Sequence, residues 1–226
     1  FANIVNAKKE RDHTRDTDVF GRAFMALGYA TQSDHLPENI KNKAAVLFTK
    51  ALKMIKKINS PRSIAFALTG LCFNFQKNNS QKILASIKKL ADRQLKFYYK
   101  NFSPNWHWFE DQLTYSNSRL PESLYLSYLA AKNPEYLKVA KKTMKFLEDI
   151  TFEPKHYSPI GESGWYARNK TRAFYDQQPE DAAAMTESKI IAFKATASEK
   201  HLKDAFRPFT LILGKNHLWQ MVYNEH

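Results

Sequence analysis

A single cysteine, Cys72, in 226 residues excludes an intramolecular disulfide framework and any cysteine-based zinc ribbon. Six glycines are too few for a β-rich fold built on tight turns, and Walker, dinucleotide and Gly-x-Ser-x-Gly fingerprints are all missing. No window approaches the ~18 apolar residues needed to cross a bilayer. The longest uncharged apolar run, 63–75, reads as a buried helix in which Cys72 is a small hydrophobe rather than a reactive thiol. His13, His35, His107, His156, His201, His217 and His226 are scattered, with no His-x-x-x-His pattern, so neither a metal site nor another cofactor is expected. The start carries no basic-then-apolar targeting signal. The expectation is a cytoplasmic protein folded as one domain over 1–226. A chain that begins at Phe1 rather than Met reads as a processed form or a portion of something longer.

What is present is an ample core and an excess of base. Hydrophobic residues make up 43% and aromatics 14% of the chain, enough for a sizeable interior. Lys and Arg number 35 against 22 Asp and Glu, a net charge of +13. That balance invites a polyanion reading. The lysines are interleaved with apolar residues at helical spacing, however. Lys41, Lys43, Lys50, Lys53, Lys56 and Lys57 alternate with Val46, Leu47, Leu52 and Ile55, and Lys138, Lys141, Lys142 and Lys145 surround Val139 and Phe146. Solvated outer faces of helices look like this. No helix-turn-helix, RNA-recognition or zinc-finger pattern supports a nucleic-acid partner.

Helical periodicity predicts eight helices: 18–31, 37–58, 62–77, 81–99, 120–131, 135–150, 177–196 and 198–213, the last stopped by Gly214. They pair as 1–2, 3–4, 5–6 and 7–8. The first helix of each pair is richer in apolar and small residues, and the second carries more Lys. Stacked helical hairpins with a buried inner layer and a half-wet outer layer give that difference. An open solenoid and a closed α/α toroid both fit. Two long aromatic loops, 101–118 and 151–175, favour the toroid, where loops at one end of the inner helices converge on a pocket.

The first loop holds Asn105-Trp-His-Trp-Phe-Glu-Asp and continues through Tyr115, Asn117 and Arg119. Aromatic faces bind the C–H faces of sugar rings, while carboxylates, amides and guanidinium groups bond hydroxyls. Trp106 and Trp108 are therefore candidate platforms, with the alternative that they anchor the loop to the core. Glu110 and Asp111 are candidate carboxylates, with helix capping as their alternative. The second loop holds Gly161-Glu-Ser-Gly-Trp-Tyr, then Arg172 to Asp181. Asp176 is placed to cap the seventh helix, with Pro179 in its first turn. Gln177, Gln178 and Glu180 then ring the positive end of that helix, where a ligand's hydroxyls or a water could be held. Asp16, Asp18, Gly21 and Arg22 at the first helix, and Asn216, His217 and Trp219 after the eighth, are weaker candidates for the same end.

Five ordered motifs carry a resemblance: Asp18-Val-Phe-Gly-Arg-Ala-Phe, Trp108-Phe-Glu-Asp-Gln-Leu-Thr-Tyr-Ser-Asn-Ser-Arg-Leu-Pro-Glu, Gly164-Trp-Tyr, Phe174-Tyr-Asp-Gln-Gln-Pro-Glu-Asp and Leu213-Gly-Lys-Asn-His-Leu. The chain resembles bacterial helical domains of the six-hairpin glycosidase-like superfamily, often attached to or encoded near glycosyltransferases. The resemblance implies an all-α (α/α) toroid, a carbohydrate substrate and an acid–base carboxylate pair. A full toroid has twelve helices, so eight imply a ring that is incomplete or closed differently.

The leading expectation is a glycoside hydrolase-like domain with Asp176 and Glu110 as the pair and Asp111 and Glu180 as alternates. Trp106, Trp108, Trp165, Tyr166 and Tyr115 would be platforms. Asn117, Arg119, Gln177, Gln178 and Asn216 would orient hydroxyls. A non-catalytic glycan-binding or scaffolding module beside a glycosyltransferase is the second expectation, and a basic helical-repeat interaction protein the third.

Overall fold

The computed structural model describes residues 7–10 and 16–221; His13, His226 and positions 222–226 of the aromatic tail lie outside them. Eight α-helices follow in order: α1 (Thr17–Gln32), α2 (Glu38–Leu52), α3 (Pro61–Asn78), α4 (Gln81–Asn101), α5 (Arg119–Ala131), α6 (Pro134–Thr151), α7 (Pro179–Thr196) and α8 (Glu199–Phe209). Two short strands, β1 (Gln112–Leu113) and β2 (Tyr166–Ala167), lie in the two long loops. They pair antiparallel, with Gln112 opposite Ala167 and Leu113 opposite Tyr166.

Local chemistry sets many of the boundaries. Asp16 caps α1 by accepting the Asp18 N–H at 2.8 Å, Ser60 caps α3 by accepting the Ser63 N–H at 3.1 Å, and Asn133 caps α6 by accepting the Glu135 N–H at 3.0 Å. Pro61, Pro134 and Pro179 open α3, α6 and α7, where a missing N–H costs no helix bond. At the far end the α3–α4, α5–α6 and α7–α8 connections are two residues long and alike, whereas 33–37 joins α1 to α2. Asn79, Lys132 and Ala197 each take a left-handed conformation that stops the helix, with φ of 44°, 56° and 56°. Ser80, Asn133 and Ser198 follow in extended conformation and start the next helix.

Three expected boundaries are corrected. The second helix does not reach Ile58: α2 ends at Leu52 and a 3₁₀ turn over Ile55–Lys57 follows. A 3₁₀ turn eclipses positions i and i+3, which brings the buried Ile55 and Ile58 to the same side. The eighth helix stops at Phe209 rather than Leu213, because Pro208 lacks a donor and crowds the preceding turn. The seventh begins at Pro179, so its cap residue is Gln178 and Asp176 lies outside it.

The helices form two layers of a toroid. In the inner layer α1 packs on α3, α3 on α5 and α5 on α7; in the outer layer α2 covers α1, α4 covers α3 and α5, α6 covers α5, and α8 covers α7. Every residue of α3 from 61 to 72 is buried. Cys72 is among them, and burial pushes its thiol up to about 12 against the hydrogen bond from Ser127, so it is a core atom and not a nucleophile. The inner helices approach so closely that side chains are excluded. A Cβ on Gly28 would lie 2.1 Å from the Gly70 carbonyl oxygen, and one on Gly70 would lie 2.7 Å from that of Phe24. Gly28→Ala is accordingly expected to cost ~3 kcal/mol by forcing α1 from α3. Urea titration reads this directly; an unchanged midpoint would mean that the two helices have room to separate.

Because inner and outer helices alternate in direction, all four inner helices begin at one end. The short turns lie at the other. The long segments 102–118 and 152–178 join outer helix ends to the beginnings of α5 and α7, and β1–β2 ties them together.

Candidate functional site

The beginnings of α1, α3, α5 and α7 carry a connected polar cluster. On α1, Arg22 binds Asp18 (2.9 Å) and donates to the Ser116 hydroxyl at 3.2 Å. Ser116 lies in the turn before α5 with φ of 48°, a conformation costly for a side-chain-bearing residue and one that aims its hydroxyl inward. That hydroxyl donates to Glu180 in the first turn of α7, with its oxygen 2.7 and 2.8 Å from the two carboxylate oxygens. Arg22 reaches Glu180 at 4.0 Å. On α3, Arg62 donates to the Tyr115 carbonyl and to Glu110, the latter at 2.6 Å.

Tyr115 stands at the centre. The Arg62 guanidinium lies 4.7 Å from its ring centroid and that of Arg22 5.3 Å. Trp165 follows at 6.2 Å, ring to ring. Burial, then the charge of Asp18, push the Tyr115 hydroxyl above its ordinary range, so it stays a hydrogen-bond donor at neutral pH. Burial opposes the charge on Arg22, but its hydrogen bond and charge contact with Asp18 outweigh this and hold the guanidinium firmly protonated. Glu110 and Glu180 are thus each tied to an arginine over the same aromatic ring. Helix N-termini add positive potential around them.

Behind Glu180 lies Asp181, 4% exposed, with Oδ2 lacking a hydrogen-bond partner. Burial first, then the neighbouring Glu180, raise its carboxyl from 3.8 to about 7, with backbone N–H groups of Asn117 and Ser116 and the charge of Arg62 opposing. The folded-state value lies above the unfolded one. The stability that the protonated carboxyl contributes is therefore whole below about pH 4 and is lost as pH rises through about 7. Asp181→Asn keeps the shape without the charge and is expected to flatten that fall. Parent and variant denaturation midpoints should converge near about pH 4 and separate in the variant's favour by about pH 8. A variant that is the weaker of the two at the higher pH would contradict this burial of a neutral acid.

Below the mouth, the same faces of α1 and α7 flank a cleft of about 580 Å³, with Met25, Tyr29, Phe73 and Ile190 on its walls. Arg119 and Glu187 edge it. Arg119 is buried and bound to Glu122 (2.9 Å) and Glu187; burial works against its charge, but the two carboxylates outweigh it.

The structure brings Glu110, Tyr115, Trp165 and Glu180 together from the expected residues. It places others elsewhere. Trp108 is fully buried and Trp106 nearly so. The Trp106 indole donates to the Glu110 carbonyl at 2.7 Å and packs on Phe146 and Tyr166 at 5.2 and 5.5 Å. Both tryptophans anchor the loop, and Tyr166 packs on the anchor; the expectation of sugar platforms at Trp106 and Trp108 is corrected on that ground. Asn117 is buried with its amide spent on Thr114, at 3.0 and 2.7 Å. Asn216 is likewise buried and binds the Leu211 and Gln220 carbonyls. Asp111 is exposed at the rim and pairs with Arg168 at 3.2 Å. Gln178 donates to Glu162 at 2.7 Å, and Gln177 to Ser158 and Phe174 at 3.0 Å each.

Asp176 is exposed with φ of 58°, and its carboxylate bonds no other described residue. It borders a separate shallow hollow of about 320 Å³ with Tyr175, Asn216 and His217. Arg62, Ser116 and Asp181 were not foreseen. A signal existed for Arg62: a cation heading a run that carries no other charge until Lys77, at the end where the dipole disfavours it. Among the described residues no group of three or more His, Cys, Asp or Glu is placed to hold a metal ion, and no helix is long and apolar enough to cross a membrane.

No family model matches the chain, and no curated protein matches it. Among solved structures it is similar to the crystal structure of an unsaturated glucuronyl hydrolase specific for heparin, with a TM-score of 0.67 and 16% sequence identity. The match covers 92% of this chain and 60% of that one, so the chain spans less than two thirds of the hydrolase's length. The likeness shows the fold, an all-α toroid of helical hairpins shared with that structure.

Proposed function

We propose that the chain is a carbohydrate-active, glycosidase-like domain whose reacting sugar sits at the mouth of the inner helices, between Glu110 and Glu180. One observation carries the reading: two carboxylates from different elements, each held by an arginine, flank an aromatic pair at the end where four helices begin. Tyr115 and Trp165 offer apolar faces to a sugar ring. Arg22 and Arg62 bind hydroxyls or anionic substituents.

Hydrolysis needs a protonated carboxyl to pass its proton to the leaving oxygen as the glycosidic C–O bond breaks. It also needs a second carboxylate to take a proton from the attacking water or to bond the anomeric carbon first. Glu110 and Glu180 fill these two places. Asp181, held protonated below about pH 7 by burial and the neighbouring Glu180, lets Glu180 act there without a second negative charge beside it. Asp176 and Asp111 stand further out and serve as alternates. The structural neighbour is specific for heparin, an acidic glycan, and the two arginines suit a substrate of that class.

A second reading, a glycan-binding module working beside a glycosyltransferase, draws on the fact that the carboxylates are already engaged by Arg62 and Ser116. The discriminating experiment incubates the protein with acidic and neutral oligosaccharides and follows new reducing ends by mass spectrometry, with binding measured in parallel. Turnover of one class supports the hydrolase. Saturable binding without product, in every condition tried, supports the module.

A further inference from the structure

The positive charge of the molecule is unevenly answered. On α6, Lys138 pairs with Glu135 and Lys145 with Asp149; on α8, Lys200 pairs with Asp204. The outer wall between α2 and α4 is different. These two helices run in the same direction and leave a groove of about 540 Å³ between them, lined by Lys53, Lys56, Lys82, Lys89 and Arg93 over Leu52, Ile55 and Leu90. None of its four lysines has a carboxylate within ion-pair distance among the described residues, and no carboxylate lines it. The acidic residue of α2, Glu38, is taken by Lys41, and that of α4, Asp92, accepts the Tyr136 hydroxyl at 2.7 Å on the α6 side. Five cations therefore line one trough with no carboxylate among the described residues to neutralise them.

We infer that the groove between α2 and α4 is an exosite that holds a stretch of an acidic glycan chain alongside the mouth. The choice of a glycan rests on the function proposed above, while the anion binding itself rests on the groove. From Lys82 to Arg93 the wall of α4 runs about 16 Å along the helix axis. It ends where Arg93 donates to the Ile58 carbonyl, three residues before α3 begins at the mouth end. A chain lying in the trough is thus led toward the candidate site. A trough with charge on both walls suits a linear anion better than a bilayer surface. No aromatic residue lines it, so it lacks the stacking platforms with which single-stranded nucleic acids are held.

The test uses a fluorescently labelled, size-defined heparin oligosaccharide, with anisotropy measured over a salt series. A single-stranded oligonucleotide and phosphatidylserine vesicles serve as competitors. K53Q/K56Q/K82Q/K89Q is expected to weaken heparin binding roughly tenfold or more, and to lower the slope of log Kd against log salt by about 3. K138Q/K141Q/K142Q/K145Q removes as much charge from α6 and is expected to leave affinity within about twofold. If the first variant fails to fold by circular dichroism, K56Q/K89Q is used, with about half the slope change expected.

Equal losses from the two quadruple variants, no binding at all, or tighter binding of the oligonucleotide or the vesicles would each overturn the proposal. Binding and turnover are both read on the parent and on the two quadruple variants. Groove-dependent binding without turnover therefore sinks only the hydrolase, and turnover with groove-independent binding sinks only the exosite.

Discussion

Glu180→Gln is expected to lower glycan turnover a hundredfold to ten-thousandfold, the range associated with a positioned proton-transfer group, and to leave the melting temperature within ~2 °C of the parent's. The two halves of that expectation come from different contacts. Gln keeps an oxygen to accept the Ser116 hydroxyl, now placed 2.7 Å from Glu180. It removes the charge that faces Arg22 at 4.0 Å across a half-exposed gap, where ion pairs contribute little to stability. What it cannot do is take a proton or bond an anomeric carbon.

Glu110→Gln should be equally inactive but less stable, by ~1–3 kcal/mol, because Arg62 is buried and would face a neutral partner. Asp176→Asn is expected to retain activity, since that carboxylate bonds nothing else described and lies in a different hollow. Initial rates and thermal melts on the three variants separate the roles. Full activity in Glu180→Gln with loss in Asp176→Asn would move the reaction to the outer hollow.

Lys189→Ala is expected to cost ~3–5 kcal/mol, a fall of roughly 10 °C in melting temperature for a chain of this size. Lys189 is 0% exposed. Its ammonium binds Glu148 of α6 and lies 3.4 Å from Asp204 of α8 and 4.9 Å from the Phe152 ring. Removing it takes the inner partner from the buried Glu148 and the partly buried Asp204 and opens a cavity beside them. Lys200 touches the same two carboxylates from outside, at 3.5 and 2.8 Å, and is two-thirds exposed. Water replaces it readily, and Lys200→Ala should cost less than ~1 kcal/mol. Denaturant melts on both variants make the comparison; equal small effects would mean that water reaches the Lys189 pocket.

The hairpins and their two layers were legible in the sequence because lysines segregate onto the outer helices while small and apolar residues fill the inner ones. What was not legible involves charge or aromatic surface used against type. Arg62 and Lys189 drew no attention in the sequence, yet both are buried and bonded to acids that lie 48 and 41 positions away. Trp106 and Trp108 read as platforms, because an aromatic that fills a core and one that faces a sugar are spelled alike. Asp176 drew the cap assignment through its distance from Pro179, whereas its left-handed backbone turns it outward. Glu110, Tyr115, Trp165 and Glu180 were singled out because their residue types suit sugar chemistry, and the structure gathers them at one end of the inner helices. Their meeting depends on the β1–β2 pairing and the Ser116 turn, which no local pattern specifies.

The hairpins, three of them closed by near-identical two-residue turns and stacked in chain order, make the molecule behave as a short one-dimensional array. Amide exchange should then be graded rather than uniform. The slowest protons belong to α3 and α5, which are clasped on both sides within the inner layer, and the fastest to α2 and α8. The mouth draws its groups from α1 and α7 as well as from α3 and the turn before α5. Opening of either flanking helix would therefore take Arg22 or Glu180 away from the Ser116 hydroxyl that joins them, and the site would be lost by partial unfolding well before the array melts as a whole.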